Sequence, residues 1–138
     1  MNTLVTGGNG LVGSAIEAEF KPSSRELDLM DYDLLLSYLT DNKIDSIIHC
    51  AAKVGGIKAN LEEPADFYYN NIIMNTNLLD AAYMVDVKKV VSCMSTCVFP
   101  DDATYPLTPD QIHKGEPHSS NYAYAYAKRM LEVQSRAY

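Results

Sequence analysis

Tyr124 and Lys128 stand four residues apart in the segment YAYAYAK, residues 122–128. On a helix such a pair shares one face, and an ammonium beside a phenol favours the phenolate and lowers the tyrosine pKa. A phenol tuned in this way can exchange a proton with a carbonyl or alcohol oxygen. Chance in a tyrosine-rich stretch, with Lys128 solvated, is the competing account. Ser95 ends the apolar run 89–95. A hydroxyl at the C-terminal end of a strand in an open α/β sheet is placed to polarise a substrate carbonyl; its competing role is to cap a turn. Cys97 follows at the same rim, although a lone cysteine more often packs as a small hydrophobe than works as an acid or base.

Gly7, Gly10 and Gly13 form a G-x-x-G-x-x-G turn directly after the β-branched run Thr3–Thr6. Between a strand and a helix, the first glycine permits a tight turn. The second lets a pyrophosphate approach the backbone, and the third lets the helix pack closely. The free amides of Leu11 and Val12 and the helix dipole then favour phosphate. Without that flanking context the turn is an ordinary glycine-rich loop. Arg25 sits where a second strand would end, and a basic residue there can pair with a 2′-phosphate, which favours NADP over NAD. Asp28 could contact the adenine amine.

These residues require elements to hold them. Residues 11–20 read as a helix with Val12, Ala15, Ile16 and Phe20 on one face. Residues 31–42 read as a second helix, with Asp31 as its cap and Leu35, Leu36 and Leu39 as its stripe. A strand is expected within 44–52, centred on Ile47 and Ile48, followed by a loop at Gly55 and Gly56. A long helix begins near Pro64, with Phe67, Met74, Leu78, Ala81 and Val85 buried. A strand at 89–95, a proline-rich loop to Pro117 and a last helix from about Asn121 complete the chain. Alternating strands and helices predict an α/β fold, a Rossmann-like doubly wound parallel sheet in the order 3-2-1-4. About four strands are expected, with the second, near 25–27, short or missing. The 138 residues suggest one domain.

Composition narrows the function. A net charge of −7 repels nucleic-acid backbones, so no nucleic-acid partner is expected. No apolar run is long enough to span a membrane, and the start, MNTLVTGGNG, lacks the pattern of a signal peptide. Three cysteines without a CxxC pair argue against a disulfide framework or a zinc site. No metal is expected, and a reducing, cytoplasmic setting is. His49 on a strand reads as packed; His113 and His118 read as solvated loop residues.

The glycine turn, Ser95, Tyr124 and Lys128 occur in the order of the extended short-chain dehydrogenase/reductases. Residues 51–57 (AAKVGGI), 95–100 (STCVFP) and 122–130 (YAYAYAKRM) narrow the likeness. With them the chain resembles the GDP-L-fucose synthase branch over nearly its whole length. The resemblance implies an NADP-dependent epimerase/reductase that converts a GDP-4-keto-6-deoxy-mannose to GDP-L-fucose. By the match, Tyr124 gives a proton to the C4 oxygen and Ser95 hydrogen-bonds the ketone. Lys128 binds the nicotinamide ribose and tunes Tyr124, and Cys97 is an acid/base group of the epimerisation. The three glycines hold the pyrophosphate, while Ala51, Ala52 and Val54 line the path from adenine ribose to nicotinamide. Asn71 matches an asparagine near the active site, or is a helix-surface amide.

Two departures follow from the same likeness. About ten residues are missing between Gly13 and Asp28, and members of the branch are about twice as long. The C-terminal substrate domain, with the histidine that partners the cysteine, is therefore expected to be absent. Strand 89–95 would then be an uncovered edge, which predicts a homodimer or completion by a separately encoded half. The competing readings are a non-catalytic dinucleotide-binding fragment and a related nucleotide-sugar epimerase or dehydratase.

Overall fold

The computed structural model describes residues 1–138. In chain order the elements are β1 (Thr3–Thr6), α1 (Leu11–Ser14), α2 (Tyr32–Asp41), β2 (Ser46–His49), α3 (Ile57–Glu62), α4 (Pro64–Met84), β3 (Lys89–Ser92) and α5 (Tyr122–Ala137). Short 3-10 turns lie at Thr96–Val98, Pro109–Gln111 and Ser119–Asn121. No helix is long and apolar enough to cross a membrane. The chain forms two compact units, Met1–Ala52 with Ile73–Cys93, and Lys53–Ile72 with Met94–Tyr138.

The first unit is a parallel three-stranded sheet in the order β1-β2-β3. Leu4 pairs with Ile47 and Ile47 with Val90, so one row of apolar side chains crosses the sheet. Leu4, Ile47, Leu35 and Leu39 of α2, and Leu78, Ala81 and Ala82 of α4 share one core cluster. Burying a leucine there stabilises the fold by roughly 1.5–3 kcal/mol. Asp31 starts α2 by accepting from the Leu34 amide at 3.0 Å, as its position before the leucine stripe predicts. Pro64 opens α4, where its missing N–H has no partner to lose.

Strand order and the first helix differ from what the sequence leads one to expect. The strand order is not 3-2-1-4: the strand expected third, within 44–52, pairs directly with β1 as β2, and the strand expected beside β1, at 89–95, pairs instead with β2 as β3. The sheet has three strands and residues 24–26 form a turn, so the second strand is missing, one of the two outcomes expected for it. The helix foreseen over 11–20 is four residues long, with Val12 54% exposed. The shortened connection explains both losses. Phe20 turns back to form a parallel bridge to Leu4, donating to the Thr3 carbonyl at 3.2 Å and accepting from the Val5 amide at 2.8 Å. One residue occupies the sheet edge where a strand was expected.

In the second unit, α5 packs on the Thr96–Val98 turn and α3 on the Ser119–Asn121 turn. Ala125, Ala127 and Leu131 are buried along α5. Lys128 and Arg129 are buried too, each 2% exposed. The Arg129 Nε donates to the Val98 carbonyl at 2.7 Å, and its guanidinium lies over the Tyr126 ring. The short α3 was read as loop. It lacks a buried residue and so lacks the periodic stripe that marks a helix in sequence.

Candidate active site

In the second unit, Ser95, Cys97, Asn121 and Tyr124 line one cavity of about 350 Å³ with residues of the segment from Val54 to Asn60. Sequence reasoning foresaw Ser95, Cys97, Tyr124 and Val54; the structure brings these four together. Strand β3 ends at Ser92, so Ser95 lies beyond it and caps the Thr96–Val98 turn. Its Oγ accepts from the Cys97 amide at 3.3 Å. The cap fixes the turn's backbone at Cys97.

Tyr124 lies in the first turns of α5. Burial pushes its phenol above the ordinary value of 10.0, the charge of Cys97 adds to this, and a hydrogen bond with the Ser95 hydroxyl partly offsets both. The direction is opposite to the lowering that the Tyr-Lys spacing suggested, because burial is the largest cause. The consequence is a phenol that keeps its proton at neutral pH and can donate a hydrogen bond. Lys128 is on the same helix, one turn on, with its side chain buried.

Two asparagines were not recognised for what they do. Asn71 is fully buried, so it is no surface amide. Its Oδ1 accepts from the Lys53 amide at 3.0 Å, and its Nδ2 donates to the carbonyls of Lys53 at 2.9 Å and Phe67 at 2.7 Å. It clamps the backbone next to Val54, which lines the cavity. The Asn121 Nδ2 donates to the Cys97 Sγ at 3.0 Å, and nothing in the sequence signals that contact. A second cavity of about 430 Å³ shares Cys97 and Asn121 and adds Thr96, Phe99, Tyr105 and His118 among its lining. Of the three histidines only His118 touches either cavity, and its Nδ1 bonds the Ser120 hydroxyl at 2.7 Å.

In the first unit the glycine turn has the shape that a phosphate cradle needs. Gly7 adopts φ +67°, and an added Cβ would lie 2.7 Å from the Ala51 nitrogen. At Gly13 a Cβ would lie 2.3 Å from the Gly7 carbonyl oxygen, which only glycine tolerates. At Gly10 it would meet nothing nearer than 3.2 Å. Gly10, Leu11 and Val12 are exposed, so this face of the turn is open. A dinucleotide's pyrophosphate fits that surface, since the first amides of a helix lack partners within it. Ala51 packs against Gly7, and its amide donates to the Thr6 Oγ1 at 3.4 Å; Ala52 follows it. Arg25 is exposed in the turn at 24–26, and the Asp28 Oδ1 accepts from the Met30 amide at 2.9 Å.

Buried His49 organises the same unit. Its Nδ1 bonds the Thr6 hydroxyl at 2.7 Å and its Nε2 the Asn75 Oδ1 at 2.9 Å. Asn75 Oδ1 can only accept, so Nε2 carries a proton. The residue is packed, as expected of a strand histidine. No group of three or more His, Cys, Asp or Glu side chains could hold a metal ion.

Comparison with known proteins agrees with this geometry. Residues 3–138 match the NAD dependent epimerase/dehydratase family. A probable GDP-L-fucose synthase of Drosophila melanogaster is 42% identical and the GDP-L-fucose synthase of Dictyostelium discoideum 44% identical, each over 98% of this chain. The chain spans 46% of the length of either relative. The crystal structure of a GDP-L-fucose synthetase from Naegleria fowleri bound to NADP superposes with a TM-score of 0.87 at 42% identity, covering 98% of this chain and 43% of that one. A fingerprint glycine turn and a Ser-Cys-Tyr cavity, together with a match over nearly every residue, place the chain in the NAD dependent epimerase/dehydratase family.

Proposed function

We propose that the chain is the cofactor-binding portion of an NADP-dependent epimerase/reductase acting on a GDP-4-keto-6-deoxyhexose in the cytoplasm. The observation that carries this reading is the grouping of Ser95, Cys97 and Tyr124 around one cavity. A reductase needs only the serine and the tyrosine. A sulfur in the same wall adds a group that can exchange protons with carbon beside a ketone. The names of the Drosophila and Dictyostelium relatives and the NADP in the Naegleria structure support the substrate and the cofactor.

In this proposal Cys97 takes a proton from the carbon next to the ketone, and the freed C–H electron pair moves onto the carbonyl oxygen. Ser95 and Tyr124 donate hydrogen bonds to that oxygen as its negative charge grows. Protonation at the carbon from the other face completes the inversion, and the proton donor for it lies outside these residues. In the reduction, Tyr124, which burial keeps protonated, passes its proton to the same oxygen as negative charge builds there. NADPH supplies the hydride when bound. Gly7, Gly10 and Gly13 hold its pyrophosphate, Arg25 its 2′-phosphate, Asp28 its adenine, and Ala51, Ala52 and Val54 its path. Lys128 serves the nicotinamide ribose. Edge strand β3, whose Val91 is 45% exposed, pairs with a second copy or with a complementary half.

NADPH consumption with the GDP-keto-sugar, measured on the chain and with the complementary half supplied, tests the proposal. Tyr124→Phe should abolish reduction and keep NADPH binding by fluorescence. Turnover unchanged by that substitution removes Tyr124 from the reaction. Binding without any consumption in either preparation favours a non-catalytic dinucleotide-binding module.

A further inference from the structure

Asn121 occupies a position in this site that the proposed chemistry has not used. It joins the Ser119–Asn121 turn to α5, so the backbone that sets Tyr124 also sets this amide. Its Nδ2 donates to the Cys97 Sγ at 3.0 Å, and it lines both cavities that Cys97 touches. Its Oδ1 is buried and bonds no protein group. The backbone amide of Cys97 is taken up by Ser95, which fixes the turn but leaves the sulfur free to rotate about χ1. An N–H donor to the sulfur selects one of those rotamers.

We propose that Asn121 is the positioning residue for Cys97, holding the sulfur at the shared wall of the two cavities and stabilising it when it carries negative charge. This rests on the reading of Cys97 as an acid/base group. The two ends of the amide suit the two states of the sulfur. Nδ2 donates to the anion before proton transfer. Once the sulfur has taken a proton from carbon, a half-turn of the amide presents Oδ1 as the acceptor for S–H. A buried oxygen with no donor in the resting arrangement is what such a two-state partner requires, since an unsatisfied buried acceptor is otherwise unfavourable.

Site-resolved alkylation tests the proposal without turnover. The whole chain is treated with iodoacetamide at neutral pH, and modification of Cys97, Cys50 and Cys93 is followed separately by peptide mass spectrometry. Asn121→Ala should slow Cys97 about tenfold, because a hydrogen bond to a charged group is lost. Asn121→Asp, of equal size but lacking the donor, should slow it further, and Asn121→Gln should restore part of the rate. Cys50 and Cys93 should be unmoved in all three. Should Asn121→Ala not fold, the near-isosteric Asn121→Asp carries the test. A Cys97 rate within about twofold of the parent in a folded Asn121→Asp chain overturns the proposal, as does a parallel change at all three cysteines. Failure of the epimerase/reductase reading shows differently: the keto-sugar is not processed, while the effect of Asn121 on alkylation persists.

Discussion

Replacing Gly7 by alanine should destabilise the first unit far more than the same change at Gly10, three residues on in one motif. Gly7 has φ +67°, in the left-handed region, and its Cβ would lie 2.7, 2.9 and 2.9 Å from backbone atoms of Ala51 and Cys50. The left-handed conformation costs a non-glycine residue about 1–2 kcal/mol. Overpacking against the backbone just beyond β2 adds about 1–3 kcal/mol. The sum, about 2–5 kcal/mol, is a large share of the stability of an ordinary domain. At Gly10 the φ is −80° and the nearest atom to an added Cβ is 3.2 Å away, so the loss should stay under about 1 kcal/mol. Yet Gly10→Ala should still weaken NADPH binding, because its methyl group would stand on the open face of the turn. Urea unfolding followed by circular dichroism gives the stability, and NADPH fluorescence the binding. A Gly7→Ala chain within about 1 kcal/mol of the parent refutes the steric argument. Equal losses at the two positions refute the division of labour within the motif.

Asn71→Leu should destabilise the chain by about 2–4 kcal/mol, since it removes three hydrogen bonds and leaves the Lys53 amide and carbonyl without their partner; urea unfolding checks this. Alkaline difference titration at the phenolate absorbance, parent minus Tyr124→Phe, should show Tyr124 ionising above the ordinary tyrosine range. Cys97→Ala should bring that transition down, because the sulfur's charge is one of its causes. A raised phenol stabilises the fold below the ordinary value of 10.0, and that contribution is lost as pH rises through the raised one. Glu132 has the opposite sign: its hydrogen bond with His113, and then Arg136, hold the carboxyl below the usual 4.5. Its contribution is present above 4.5 and fades as pH falls through the depressed value, so Glu132→Gln should flatten the acid limb of a stability–pH curve.

What the sequence discloses depends on whether a residue's role is local. Asp31 announces the start of α2 because capping needs only that its own carboxylate accept from the third amide on. Pro64 marks α4 for an equally local reason, and Leu35, Leu39 and Leu78 are buried as their spacing requires. Gly7, Gly10 and Gly13 are legible because their backbone demands are short-range. Residues 11–20 mislead for the converse reason. Val12, Ala15, Ile16 and Phe20 do repeat at helical spacing, but Phe20 is recruited by Leu4, a long-range partner that periodicity cannot see. Strand order is equally invisible, since Ile47 would suit either neighbour of β1. Within the site, Ser95, Cys97 and Tyr124 were visible by residue type, whereas the amides of Asn71 and Asn121 show their roles only once Lys53 and Cys97 have been brought to them. The direction of the Tyr124 shift needed burial, which spacing along a helix does not report.

The bridge at Phe20 also says where this chain can be lengthened. Two backbone hydrogen bonds at Phe20 close the excursion from β1, the Glu19 carboxylate accepts from the Thr3 amide beside them, and residues 15–18 inside that closure pair with no strand. Enlarging a closed loop adds little entropy penalty, about 0.6 kcal/mol per doubling. Extra turns of helix spliced in after Ser14 would therefore extend α1 over solvent while leaving the docking of Phe20 on Leu4 intact. The connection behaves as a socket for inserted sequence, and a graft there can change the neighbourhood of the phosphate turn without recasting the core beneath it.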